Sequence, residues 1–132
     1  MKRKVHLFIA VIFIGSLLLI TCKEKLGPNP SMKFITDAKY TFANDSVKVG
    51  DSVLIGLKCN WNGTDLLSGL NSYLNNGLVV EKSFEFDPQV EALGMSFYIT
   101  KTALEEEIWQ FELMDNAGQK DTLSLLLTID HP

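Results

Sequence analysis

The chain has 132 residues, 46% of them hydrophobic and 21% charged, with a formal net charge of -4. That length suits one domain, and that balance suits a folded chain rather than a disordered one. The acidic excess leaves no basic patch to neutralise phosphates, which excludes nucleic-acid binding.

Residues 1–6, MKRKVH, are basic, and residues 7–20, LFIAVIFIGSLLLI, are apolar or small without a break. A charged start followed by a short apolar run reads as a signal peptide over 1–21, helical in its apolar part. As a helix this run rises about 21 Å, short of the roughly 30 Å hydrocarbon core of a bilayer. Loss of Lys2, Arg3 and Lys4 leaves nine lysines against sixteen acids, a formal charge of -7. Anionic membrane surfaces are poor partners for such a chain.

The apolar run ends at Leu19-Ile20-Thr21-Cys22 and turns charged at Lys23. This window resembles a bacterial lipoprotein lipobox, with Leu19 and Cys22 matching and Thr21 standing where Gly, Ala or Ser is usual. The resemblance implies cleavage before Cys22 and acylation of that residue. Each buried CH₂ contributes about 0.8 kcal/mol, so two or three acyl chains anchor stably. Residues 22–31 are then the lipidated cysteine and a tether. KEKLGPNPS has two prolines, one glycine and no periodicity, and its nine residues reach at most about 30 Å. Lys23-Glu24-Lys25 is similar to the surface-export signals of Bacteroidetes-type lipoproteins, and Lys23 after the cysteine fits outer-membrane sorting.

From residue 32 the signal is period two. KFITDAKYTFA (33–43) reads as a first edge strand. Val53, Ile55, Leu57, Cys59 and Trp61 share one face of the next run, and LVVEKSFEF (78–86) reads as another edge strand. Met95, Phe97 and Ile99 alternate with Ser96, Tyr98 and Thr100. Trp109, Phe111 and Leu113 alternate with Gln110 and Glu112, and Leu123, Leu125, Leu127 and Ile129 with Thr122, Ser124 and Thr128. Such alternation marks half-buried antiparallel strands. Asp65–Leu74 reads either as a short amphipathic helix capped by Asp65 and Gly77 or as a strand turning at Asn75-Asn76-Gly77. Gly69, Asn71, Asn75 and Asn76 favour the strand. Ala103–Glu107 reads as one helical turn between strands. Turn residues recur at Asn44-Asp45, Gly50-Asp51, Asn62-Gly63, Asp87-Pro88 and Asp115-Asn116-Ala117-Gly118, a spacing that suits a sandwich.

Val49-Gly50-Asp51-Ser52-Val53 leading into a strand, and Trp109 through Gly118 as an aromatic strand running into Asp-x-x-Gly, resemble bacterial immunoglobulin-like domains. The resemblance covers 32–132 and implies an all-β, antiparallel immunoglobulin-like β-sandwich of about seven strands. Asp115 can bond its own turn, and Gly118 can take a positive φ. Trp61 and Trp109 are expected to fill the core, since no cysteine pair bridges the sheets.

Chemistry is sparse. After cleavage the only histidine is His131, beside the C-terminus, a poor place for a positioned base. No metal site is expected, because no set of zinc ligands clusters and Asp115 with Asp121 is too few oxygens for calcium. No cofactor is expected either. Glu105-Glu106-Glu107 reads as a solvated charge run and Cys59 as a buried core thiol. Asp45-Ser46-Val47, Asp51-Ser52-Val53 and Asp121-Thr122-Leu123 are similar to the Bacteroidetes-type O-glycosylation motif, which makes Ser46, Ser52 and Thr122 candidate acceptors. Tyr40, Tyr73 and Tyr98 are candidates for stacking on sugar rings. The sequence thus points to a non-enzymatic, lipid-anchored envelope module, expected at the outer membrane, with a protein or glycan partner. The alternative is a carbohydrate-binding accessory similar to starch-binding outer-membrane lipoproteins, where two exposed aromatics on one face would be the discriminating sign.

Overall fold

The computed structural model describes residues 27–130. The expected signal peptide at 1–21, Cys22, the tether as far as residue 26 and His131 lie outside the described residues.

Eight strands and no helix make up the described residues: β1 (Ser31–Phe34), β2 (Asp45–Val47), β3 (Ser52–Asn60), β4 (Leu67–Leu74), β5 (Val80–Val90), β6 (Ala92–Thr100), β7 (Glu107–Asp115) and β8 (Lys120–Ile129). They form a three-stranded sheet, β1-β3-β6, and a five-stranded sheet, β2-β8-β7-β4-β5. The pairs are antiparallel except β2 with β8, which run parallel. The eighth strand, beyond the seven or so expected, is β2, three residues long and too short to show a periodicity.

The alternation in the sequence is the alternation of burial. Val53, Ile55, Leu57 and Cys59 on β3 stand opposite Ile99, Phe97, Met95 and Leu93 on β6 in unbroken register. Trp109 and Phe111 on β7 stand opposite Leu125 and Leu123 on β8. These two inner faces close on each other, and the core from Met32 to Leu127 is nearly free of solvent. Each fully buried large side chain contributes about 1.5–3 kcal/mol. Aromatic rings tie the sheets together: Phe34 meets Phe111 edge-on at 6.0 Å, Phe97 meets Phe111 at 5.7 Å, and Phe84 lies 5.0 Å from Phe97. Trp109 is buried as expected, while Trp61 is half-buried against the rim of the core.

The ambiguous stretch is strand β4, not a helix. A side chain at Gly69 would run into the Phe84 carbonyl at 2.8 Å, so the glycine that argued against a helix serves close β4–β5 pairing. Asn75 and Asn76 both take left-handed φ, 52° and 55°, and the Gly77 N–H donates to the Leu74 carbonyl at 2.9 Å. Two consecutive positive-φ residues make a type I′ hairpin, for which asparagine is suited.

Two readings are corrected. The first edge strand ends at Phe34, and 35–44 is a covering loop rather than a strand. It follows β3 through two hydrogen bonds, Ile35 N–H to the Gly56 carbonyl and Thr41 N–H to the Leu54 carbonyl. Ala103–Glu107 is not helical either: it is a bend leading into β7, because its carbonyls turn inward to a buried ammonium, described next.

Candidate functional site

The outer face of the three-stranded sheet is set by the residues left over from core packing. On β3 these are Ser52, Leu54, Gly56, Lys58 and Asn60; on β6 they are Ala92, Gly94, Ser96, Tyr98 and Thr100. Tyr40, from the covering loop, lays its ring on Gly56. A Cβ there would stand 2.9 Å from three ring atoms, so only glycine admits the tyrosine. The Tyr40 N–H donates to the Asp37 carbonyl at 2.9 Å, and the Lys39 Nζ lies 4.9 Å from the ring centroid, within cation–π range. Tyr98 stands opposite Leu54 and is 61% exposed. Two of the three candidate tyrosines therefore lie on one face, Tyr98 exposed and Tyr40 half-buried.

Beside them the face is hollow. A shallow cleft of about 370 Å³ is lined by Ile35, Lys58, Asn60, Ala92 and Gly94, with the Cys59 and Leu93 positions behind. Nothing lies within 4 Å of where a Gly94 side chain would begin. Lys58 lines this cleft, and Lys33 of β1 is its direct register partner on the neighbouring strand.

Tyr73 belongs elsewhere. It lies on the outer face of the five-stranded sheet, where its hydroxyl donates to the Glu112 carboxylate at 3.4 Å. Glu112 also pairs with Lys120 at 3.1 Å, in a depression bounded by Gly77, Leu78 and Gln110. The structure does not bring Tyr73 together with Tyr40 and Tyr98.

The three candidate acceptor hydroxyls are exposed. The Ser46 and Ser52 hydroxyls share hydrogen bonds of 2.7 Å with the Thr128 and Thr100 hydroxyls, and Thr122 lies on β8. Asp115 and Asp121, considered as a pair, serve separate backbone groups. Asp115 accepts from the Ala117 and Gln119 N–H groups of its own hairpin, where Gly118 takes φ 82°. Asp121 accepts from the Met32 N–H of β1. No group of three or more metal-ligating side chains occurs among the described residues.

One charged constellation escaped sequence reading, and it corrects the solvated-run reading at Glu107. Lys101 and Glu107 are both fully buried, with Nζ and Oε1 4.0 Å apart. The Lys101 ammonium donates to the Ala103 carbonyl at 2.8 Å and to the Glu105 carbonyl, so the bend wraps around it. Glu107 Oε1 accepts from the Thr102 N–H and hydroxyl and from the Ala103 N–H; Oε2 accepts from the Trp109 indole. Burial alone would push this carboxyl up, but these hydrogen bonds outweigh it and hold Glu107 below the ordinary glutamate value. The signal was present: Glu107 is in phase with Trp109 and Phe111. The site braces a loop, and its groups face no opening to a substrate. Cys59 is buried as expected. Burial, with a smaller push from Asp121, raises its thiol to about 12, which leaves it a core side chain.

No family model matches the chain, and no curated protein matches it. Among solved structures, the chain is similar to the CARDB domain of a Pyrococcus furiosus protein (12% identity, TM-score 0.54, 80% of this chain and 100% of that one). It is also similar to the fibronectin(III)-like modules of Clostridium thermocellum CbhA (10% identity, TM-score 0.52, 82% of this chain), where it spans about half, 53%, of the other chain. At such identities the likeness concerns the fold, which is an immunoglobulin-like β-sandwich.

Proposed function

We propose that this chain is a non-enzymatic lipoprotein of the bacterial cell envelope, held in the outer membrane through Cys22, whose sandwich is a binding module for a glycan or an envelope protein. The observation that carries the binding role is the open outer face of the three-stranded sheet, where Tyr40, Tyr98 and the cleft lie together. An immunoglobulin-like fold presents such sheet faces without supplying any activity of its own. The short interval from Cys22 to β1 at Ser31 would hold this face near the membrane.

The exposed Tyr98 ring on this face also supports the narrower reading, a carbohydrate-binding accessory of an outer-membrane uptake system, although Tyr40 beside it is half-buried between Gly56 and Lys39. Ring faces of tyrosine suit the apolar faces of sugars, and rigid side chains lose little entropy on binding. Ser46, Ser52 and Thr122 are the proposed O-glycan acceptors.

Intact-protein mass from membrane fractions, wild type against Cys22→Ala, tests the anchor. The mature species is expected to begin at Cys22 and carry acyl mass that the variant lacks, with hexose-sized increments if the acceptors are used. Retention of the full chain, or a product starting elsewhere without lipid, refutes the anchor.

A further inference from the structure

The described residues carry fifteen acids against seven lysines, yet one of those lysines, Lys58, lines the cleft and a second stands beside it. Lys33 and Lys58 are direct cross-strand partners, and Lys39 lies over the neighbouring Tyr40 ring. No strand residue on the outer face of β1, β3 or β6 is acidic. Among the described residues the ion pairs are Lys101–Glu107 and Lys120–Glu112, so neither cleft lysine has a carboxylate partner there. Like charges directly opposite on a sheet repel. A domain rich in carboxylates has none on these three strands, and its nearest acids in sequence to the cleft, Asp37 and Glu91, form no ion pair with these lysines, which leaves their charge free to meet a ligand's. Burial cannot explain the arrangement, since both lysines are exposed.

The shape narrows the class. The cleft floor is made of small residues, Ala92 and Gly94, and Gly94 directly opposes Lys58. From Gly94 the face continues along β6 to Tyr98, four residues or about 13 Å further, passing Ser96 opposite Gly56 and its Tyr40 lid. A cation pair at one end, an exposed aromatic at the other and an open, shallow path between them match an extended, ring-built anion. We infer that this face binds an acidic saccharide, with a uronate carboxylate seated at Lys33 and Lys58 and a sugar ring laid on Tyr98. This inference rests on the binding-module reading and names its ligand class. An anionic bilayer fits less well. Polybasic membrane segments use clusters of about four to eight cations, and here the rest of the domain is acidic.

The test uses the full chain in detergent micelles, titrated calorimetrically with tetragalacturonate and with neutral cellotetraose. Tetragalacturonate is expected to bind and cellotetraose to bind much more weakly. The Lys33→Ala/Lys58→Ala variant is expected to lose about tenfold or more in affinity, the scale of a lost charge-assisted contact. Gly94→Leu, which places a side chain in the empty cleft, is expected to abolish binding while keeping the thermal midpoint, and Lys82→Ala is expected to change nothing. If cellotetraose binds equally and Gly94→Leu blocks it, the acidic specificity is overturned while the glycan reading stands. Equal tetragalacturonate affinity for wild type and the double lysine variant also overturns the inference. So does an absence of binding to either sugar, with or without binding to phosphatidylglycerol vesicles; the Cys22 mass measurement then decides the anchored-module reading separately.

Discussion

The Asp121 carboxylate of β8 accepts a hydrogen bond from the Met32 main-chain N–H of β1 at 2.7 Å, joining a strand of one sheet to a strand of the other. Met32 is buried in the core, and its strand is only four residues long. A charged acceptor makes such a bond worth about 1.5–3 kcal/mol. Asp121→Ala is therefore expected to lower urea stability by about that amount and to speed hydrogen exchange at Met32 more than at Phe111. Unchanged exchange at Met32 would show that β1 is held by its β3 ladder alone.

The Lys101–Glu107 pair predicts a definite response to acid. Glu107 has its folded value lowered from an ordinary 4.5. A depressed carboxyl contributes stability that is fully present above its unfolded value and is lost as pH falls through the folded one. The protein should therefore lose stability progressively below about pH 4.5, and Glu107→Gln should flatten that slope. At neutral pH either Glu107→Gln or Lys101→Met alone is expected to cost about 3–5 kcal/mol, because the remaining charge stays buried without its partner. The double variant should cost less than the sum. Additive losses in chemical denaturation would mean that the two groups brace the bend independently.

The fit of Tyr40 on Gly56 predicts a strong coupling. Gly56→Ala puts a methyl 2.9 Å from the ring and should displace the covering loop, with a loss of about 1–3 kcal/mol, the usual penalty of overpacking. In a Tyr40→Ala background the same substitution should be nearly neutral, since the space has been vacated. Equal penalties in both backgrounds would show that the ring is not seated there. Tyr98→Ala, 61% exposed, should leave stability within about 0.5 kcal/mol.

Cys59 should be silent toward thiol reagents in the native protein. It has no measurable exposure, and its thiol is raised to about 12, so neither access nor thiolate is provided near neutral pH. Maleimide labelling should appear only in denaturant, at the rate of unfolding. Rapid native labelling would show that the β1–β3 edge opens readily.

Much of this fold is written in the phase of its apolar residues. β3, β6, β7 and β8 alternate cleanly because each buries one face against the other sheet, and the Asn75-Asn76 hairpin follows from the positive φ that asparagine tolerates. What was not legible depends on contacts between distant segments. The loop at 35–44 looks like a strand because Phe34, Tyr40 and Phe42 are apolar, but Tyr40 folds across Gly56, a partner known only once β3 is placed. Glu107 was hidden by its neighbours Glu105 and Glu106, although its phase with Trp109 directs it inward. The candidate cleft was divided the same way. Tyr98 was readable as outward-facing from its own strand, whereas Lys33 facing Lys58 and Gly94 emptying the floor required the β1–β3–β6 register.

That register also has a mechanical consequence. The segment leading to the proposed anchor joins β1 at Ser31, and β1 is hydrogen-bonded directly to β3, which carries half of the cleft. A tug on a ligand held there would reach the anchor through this strand pair, with Asp121 of β8 sharing the load at Met32. Because Ser31 pairs with Asn60, the chain leaves β1 at the same end of the ladder that lines the cleft, so ligand and anchor load the pair within a few residues of each other. The five-stranded sheet meets that load path at the Asp121 carboxylate, so force on the anchor is divided between the two sheets.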